Sequence, residues 1–362
     1  MTVSSFTVEQ NNVAAHRQGH ALVSAVAGSG KTEVLVERTV QMLNEGIPAD
    51  RMLILMFNKS AQEVFKQRLL ARVGDDIPEI LTFHALGLRI LEIWYDRKHA
   101  VTPELLDTDE VWMECLKDAI SDINQEKSAG ISDHPDQLRK YLAAIDVLKN
   151  MDYPECSVDW KMLGWRDNFV EQVQLIFPLF ESYRKKSFSL GLNDLLYDAV
   201  ALLRREKEYA LEWAHSIDHI MVDEYQDSNA LQHWILDTLL TEQSSLMVVG
   251  DEDQCIYTWR AADPNMMVRG FEAKYKNVQR YTLSRTFRYG HAIALMANRV
   301  LQYNQQRPDK LVVSGTGNCG DIVIQRYDNT LDIPNALRQL TQQDVVLVRE
   351  FRHMDDIELI AR

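Results

Sequence analysis

Cysteine is scarce and never clustered: Cys115, Cys156, Cys255 and Cys319 are the four present, with no CxxC or Cys/His spacing between them. That excludes a disulfide framework and a zinc site of ordinary ligand spacing, leaving buried or incidental thiols. No run of about 18 apolar residues occurs, and the N-terminus, MTVSSFTVEQ, lacks the build of a signal peptide. A soluble, cytoplasmic chain with no membrane partner is expected. Positive charge is in deficit, with 39 Lys and Arg against 53 Asp and Glu and a net charge of −14. Taken alone, that balance argues against a nucleic-acid partner. A groove can nonetheless be locally basic on an acidic protein, because charge totals govern solubility and long-range steering rather than a site. One basic concentration stands out, Arg280, Arg285, Arg288, Arg299 and Arg307, for which solvated helix faces are the plainer reading. Repeats and low-complexity tracts are missing too, and the length suits two or three domains.

What is present is organised around His20–Thr32, HALVSAVAGSGKT. Apolar Ala21 to Ala25 read as a short buried strand, Gly28-Ser29-Gly30 as a turn, and Val34, Leu35, Arg38 and Leu43 as a helix beginning at Lys31. Backbone N–H groups of such a turn point inward and the helix N-terminus adds partial positive charge, so the two together cradle a polyphosphate. In this P-loop reading Lys31 supplies a cation for the β/γ oxygens of ATP and the Thr32 hydroxyl a ligand for Mg²⁺. Ala25 stands where the general pattern asks for its first glycine. A chance glycine turn before a helix is the plainer alternative.

Further strand–helix units follow. Met52 to Phe57 reads as a strand, Asn58 to about Arg72 as a helix, and Glu79 to Trp94 as another pair containing His84, a residue that on its own is more often structural than catalytic. From about Glu92 to His215, Trp and Leu recur at helical spacing, Pro103, Pro135, Pro154 and Pro178 act as breaks, and no strand-rich run occurs; this reads as an all-helical insertion. Strand character resumes at Ile217–Val222 and runs straight into Asp223 and Glu224, placing two carboxylates at a strand's C-terminal end, where open α/β sheets keep their ligand site. Asp223 is suited to holding Mg²⁺ and Glu224 to polarising an attacking water. Leu246–Val249 is another strand, with Gln254 near its tip; Tyr257, Trp259 and Arg260 beyond it suit the stacking of unpaired bases, against a buried Trp as the alternative. Val278–Leu283 reads as a strand opening a second α/β unit, followed by a helix over about His291–Asn304, a strand at Asp321–Tyr327, a helix at Ile333–Gln343 and a strand at Asp344–Val348. Gln10, eighteen residues before Gly28 of the glycine turn, could read an adenine edge with its amide donor and acceptor.

The ordered set Gln10, AVAGSGKT, FNKSA, TFHALG, VDEYQD, VGDEDQCIYTWRAAD and LSRTFRYG resembles superfamily 1 DNA helicases of the UvrD/Rep/PcrA type, over residues 6–91 and 216–305 with a weaker echo at 344–360. The resemblance implies an ATP-driven, 3′-to-5′ single-stranded-DNA translocase acting on single strands or single/double-strand junctions. It implies that Gln10 reads adenine and that Ala27, Gly28, Ser29, Gly30, Lys31 and Thr32 hold the phosphates and Mg²⁺. Arg38 matches an arginine near the nucleotide, Asp223 the metal-organising acid, Glu224 the general base, and Gln254 the residue coupling nucleotide to DNA. Phe287 falls where the family stacks a tyrosine on the base, and Arg288 matches its γ-phosphate arginine. Phe57, Asn58, His84, Tyr257, Trp259 and Arg260 fall on the DNA path.

Some features depart from the family: Val26 replaces a common glycine, Met56 stands in the place of a base-stacking Phe with Phe57 one position later, and the last motifs, with their second γ-phosphate arginine, have no counterpart before Arg362. The expected architecture is α/β: a RecA-like P-loop parallel sheet from 1–91 and 216–279, a helical insertion at 92–215, and an incomplete second RecA-like domain from 280. The chain reads as the N-terminal piece of a longer protein, binding nucleotide but unwinding nothing alone. A non-translocating ATP-dependent DNA-binding switch and a small-molecule kinase are the alternatives; the VDEYQD motif and the Trp259 loop speak against the kinase.

Overall fold

Strands as apolar as Ala21–Ala25 and Met52–Met56 need cover on both faces, and both are buried at every position. The computed structural model describes residues 6–319, apart from 107, 162, 305, 306, 308 and 309, together with residue 322. In chain order the elements are α1 (Val8–Ala14), β1 (Ala21–Ala25), α2 (Lys31–Asn44), β2 (Met52–Met56), α3 (Lys59–Val73), β3 (Glu79–Thr82) and α4 (Phe83–Arg97). Then come β4 (Glu104–Leu105), α5 (Glu110–Lys127), α6 (Pro135–Asn150), α7 (Asp167–Lys186), β5 (Ser189–Leu190), α8 (Leu192–Arg205) and α9 (Lys207–Ser216). β6 (His219–Val222), α10 (Ala230–Leu239), β7 (Ser245–Gly250), α11 (Phe271–Lys274), β8 (Gln279–Leu283), β9 (Arg285–Thr286), α12 (His291–Leu301) and β10 (Val313–Ser314) complete the described part. The elements expected over 321–348, and the motif echo at 344–360, lie outside the described residues.

Six strands form one sheet in the order β3-β2-β6-β7-β1-β8, every pairing parallel. Strand alternation sorts its side chains into two cores. Leu22, Leu53, Leu55, Ile220, Val222, Leu246 and Val248 face α4, α8, α9 and α10. Val23, Ala25, Ile54, Met56, Met221, Met247 and Val249 face α1, α2 and α3. All C-terminal strand ends therefore open on one edge, which is where the chemistry-bearing residues were expected.

In several places the structure differs from the sequence reading. β8 does not open a second unit: it pairs with β1 from Ala21↔Gln279 to Ala25↔Leu283 and completes the first sheet. Half-exposed edge strands and first strands of a new sheet look alike in sequence. The insertion's own core is built by α5, α6 and α7, through residues such as Leu116, Ile120, Tyr141, Ile145, Phe177 and Phe180, whereas α8 and α9 belong to the sheet's core through Leu195, Ala199, Leu203 and Tyr209. α4 and α8 cross so closely at Gly87 that an added Cβ would lie 2.6 Å from the Leu195 carbonyl oxygen. The insertion also carries a two-residue parallel pair, β4 with β5. Pro178 sits inside α7 without ending it; burial of Phe177 and Phe180 on either side outweighs the missing N–H.

Candidate nucleotide and nucleic-acid site

Residues 26–30 join β1 to α2, with Gly28 at φ +76° and Gly30 at φ +81°. Gly30 is the N-cap of α2 and offers no side-chain acceptor, so the helix's first N–H groups remain available to an anion. Ser29 Oγ is buried with no hydrogen-bond partner. A donor set of this kind, a glycine-lined turn at a helix N-terminus with an orphaned hydroxyl, fits a polyphosphate. Lys31 Nζ lies 2.7 Å from Glu224 Oε2, and Thr32 Oγ1 donates to Asp223 Oδ2 at 3.1 Å. The two acids follow β6 directly; Asp223 N–H donates to Leu55 O, and Glu224 takes a left-handed backbone, φ +51°. Burial, and then the neighbouring Glu224 charge, push Asp223 up to about 6. A hydroxyl and a carboxylate meeting in this way fit one divalent cation, Mg²⁺ by its preference for oxygen ligands.

Gln10 is buried beside this loop: its Oε1 accepts from Thr7 N–H at 2.8 Å and its Nε2 donates to Ser29 O at 2.9 Å. Phe287 N–H donates to Gly28 O at 2.8 Å, and an added Cβ on Gly28 would stand 2.5 Å from Arg288 Cβ. Phe287 and Arg288 are thus held against the phosphate loop, their segment further tied by Ser284, which donates through N–H and Oγ to the Glu9 carboxylate. Val26 explains its own departure from glycine: it is buried with Ala294 and Val312, an apolar anchor between the loop and α12.

Arg38 is a correction. It lies two turns beyond Lys31 along α2, fully buried, and the titratable groups around it are Arg17, Glu45 and Tyr281 rather than the acids at 223 and 224. Its charge also bears on His219, the first residue of β6, at the strand end opposite the acids. Burial, and then Arg17, lower it to about 9, and two of its nitrogens lack partners. Helical periodicity marked its face correctly but not its distance from the loop. Gln254 donates its amide to Asp251 rather than reaching toward Lys31. Two of the arginines in the basic concentration are consumed internally, Arg280 by Glu272 at 2.8 Å and Arg307 by Asp253 at 2.9 Å.

Two linking side chains escaped the sequence reading. Gln226 donates to Glu224 Oε2 at 2.9 Å and accepts from Asp251 N–H at 2.9 Å, bridging the ends of β6 and β7. Its place two residues after Glu224 was the available signal. Lys310, 1% exposed, sets its Nζ 2.9 Å from both Asp251 and Glu252, and Glu252 also accepts from Ser24 Oγ in β1. Its ammonium occupies the centre of the Asp251–Asp253 carboxylates, and nothing in local sequence signals that pairing.

On the same sheet edge Phe57 meets Tyr257 with ring centres 5.2 Å apart, Tyr257 meets Trp259 at 6.3 Å, and the Arg260 guanidinium lies 4.9 Å over the Trp259 ring. Trp259 is 63% exposed. Met56, one place earlier than Phe57, is fully buried because alternation turns it into the core. Asn58 accepts from Ala61 N–H as the N-cap of α3. His84 bonds Asn193, and burial, then the Arg260 charge, lower its pKa.

With this geometry in view, a family model described as the UvrD/REP helicase N-terminal domain matches residues 6–276. The chain belongs to the UvrD/REP helicase family. It is 28% identical over 368 aligned positions to a protein named ATP-dependent DNA helicase PcrA from Leuconostoc citreum, covering 98% of this chain and 46% of that one. Proteins of the same name from Staphylococcus epidermidis and Staphylococcus aureus are 30% and 29% identical, over 90% and 85% of this chain and 44% and 41% of theirs. The chain therefore spans just under half the length of the curated relatives it matches. The UvrD/REP match takes in every strand of the sheet except β8, and it includes the Trp259 loop. The α/β architecture with its parallel central sheet is consistent with a RecA-like helicase domain. Among the described residues no helix is long and apolar enough to cross a membrane.

Proposed function

We propose that this chain supplies the ATP-binding half of a translocase that hydrolyses ATP to step along single-stranded DNA, 3′ to 5′. One observation carries the reading: Lys31 and Thr32 reach Glu224 and Asp223 on the sheet edge that also bears the Phe57–Tyr257–Trp259 row. Chemistry at a γ-phosphoryl group needs positioning and charge neutralisation more than covalent help. Lys31 neutralises phosphoryl charge, Glu224 accepts the proton of the attacking water, and Arg288, held against Gly28, adds a second cation. Mg²⁺, held by Thr32 and Asp223, would offset the charge of the β and γ oxygens. Gln10 and Phe287 flank the place of the adenine. Gln226 links Glu224 to Asp251, and so to the strand leading into Tyr257 and Trp259, which gives the nucleotide a physical route to the bases. The first RecA-like domain then closes at β8, with α5–α7 as an inserted subdomain and a second domain beginning beyond Leu283.

The test is ATP turnover with and without single-stranded DNA, in the full-length protein and in Glu224→Gln. Stimulation in the parent, and its loss by two or more orders of magnitude in the variant with nucleotide still bound, is the expected result. No stimulation in the full-length parent refutes the translocase and leaves the ATP-dependent binding switch. Strand displacement by residues 1–362 alone is expected to be nil.

A further inference from the structure

Toward the end of α4 farther from His84, a cavity of about 340 Å³ opens among the closing turns of α4, α7 and α8. Its walls are largely apolar: Leu91 and Trp94 from α4, Leu190 from β5, Leu202 from α8, and Phe188. The volume lies near the small end of the roughly 300–1,000 Å³ of ligand-taking sites. Phe188 is the unusual member. α7 ends at Lys186 with Ser187 as its C-cap, and Phe188 takes the next position at φ +55°, the left-handed conformation that glycine ordinarily fills there. A side chain with a Cβ is strained in it, and this ring is also 48% exposed, so burial does not account for the strain. Residues held this way cluster at ligand clamps and binding sites.

Charge around the cavity runs against the chain's net −14. Asp198 is the acid in the lining, and both its oxygens accept from Arg184, which is thereby neutralised internally. Lys185 and Arg205 are exposed; Arg205 gives its Nε to Glu206, which leaves its terminal nitrogens for a ligand. Lys98 stands 4.5 Å over the Trp94 ring, and Tyr209 lies against the same ring at 5.1 Å. Trp94 is therefore already engaged and meets the cavity as an apolar wall, not as a platform for a base. On either side of Pro103, which also lines the cavity, Val101 and Leu105 expose apolar side chains. An apolar surface that continues past the cavity suits a chain segment better than a small molecule.

We propose that this cavity is a docking site for a protein partner: a short acidic segment inserts one large apolar side chain against Phe188, Leu190 and Leu202, and its flanking carboxylates pair with Lys98, Lys185 and Arg205. Charge complementarity fixes the sign of the partner, and the apolar walls fix its anchor. His84 and Trp94 are ten residues apart on α4, about 15 Å along a helix, so a segment held here leaves the phosphate turn and the Trp259 row free. The site stands whether or not the chain steps along DNA.

Calorimetry of the whole chain with end-blocked peptides Glu-Asp-X-Asp-Glu tests it. With X as Phe, Leu or Trp binding is expected, and X as Ala should weaken it about 10- to 100-fold, the worth of one buried large apolar side chain. Phe188→Gly is expected to weaken the Phe peptide about 3- to 30-fold while the melting temperature holds, since glycine is the ordinary residue at this backbone position. Lys185→Gln with Arg205→Gln, both exposed, should flatten the dependence of affinity on salt. No binding by any member, affinity indifferent to X, or parental affinity in Phe188→Gly overturns the site. Two competitors identify other occupants: displacement of the peptide by oligo(dT), or by 3-phenylpropionate at equal concentration, overturns the protein-partner assignment in favour of nucleic acid or of a small carboxylate.

Discussion

Gly28 must lack a side chain for two separate reasons. Its φ of +76° is the left-handed region, and any Cβ there would collide with Arg288 Cβ at 2.5 Å and Thr286 Oγ1 at 2.8 Å. Gly28→Ala is therefore expected to cost about 1–3 kcal/mol of stability and to push the 286–288 segment off the loop. A lowered melting temperature together with weakened nucleotide binding checks it; a parental melt would mean the segment is not seated there. At this scale the sequence was most legible where a residue's role follows from its immediate neighbours. Lys31 and Thr32 sit behind a glycine turn, Asp223 and Glu224 at the end of an apolar run, and all four meet as expected. Arg38 was misread because spacing along a helix reports a face, while reach depends on which end of the sheet that face covers. Lys310 was illegible for another reason: it pairs with carboxylates 57 to 59 residues earlier in the chain, and local pattern carries no trace of that distance.

Among the elements, the insertion is joined to the sheet layer by a buried ionic network. Lys149 on α6 meets Glu181 on α7 at 2.7 Å and also Asp194 on α8, while Arg184 meets Glu181 at 2.7 Å and Asp198 at 2.8 Å. Burial alone would raise Glu181, but the charges of Lys149 and Arg184 outweigh it and hold the carboxyl at about 2, below its ordinary 4.5. Because the folded value is depressed, the folded state holds its carboxylate while the unfolded chain takes up a proton. This contribution, about 3 kcal/mol at neutral pH, is intact above pH 4.5 and drains away as pH falls toward 2. Tryptophan fluorescence of the insertion should show that acid slope, and Glu181→Gln should remove it while costing about 1–3 kcal/mol at neutral pH, since Lys149 keeps Asp194 and Arg184 keeps Asp198. An unchanged acid slope in the variant would place the sensitivity elsewhere. Helix existence here was legible from the Leu and Trp spacing. The assignment of α8 to the sheet was not, because an amphipathic stripe does not name its partner, and Gly87 shows why α4 is the one that fits.

Across the whole molecule, three strand ends already paired by backbone are tied further by side chains. Gln226 spans β6 and β7, and Lys310 gathers Asp251, Glu252 and Asp253, with Glu252 reaching Ser24 of β1. Lys310→Met is expected to destabilise the chain by about 3–5 kcal/mol, since it strands buried carboxylates; a chemical melt at pH 7 reads this directly, and a parental midpoint would show the ammonium to be dispensable. Sheet order could be anticipated only in part, as β8 shows: its edge position was fixed by pairing with β1, a non-local choice.

The Lys310 ammonium also has a mechanical meaning. A pull exerted on the chain past α12 is resisted by Arg307 at Asp253 and by this nitrogen, and from Lys310 it passes through Glu252 and Ser24 to the strand that presents the phosphate turn. Parting Lys310 and Arg307 from these acids is a resistance that such a tug meets before this edge of the sheet can yield.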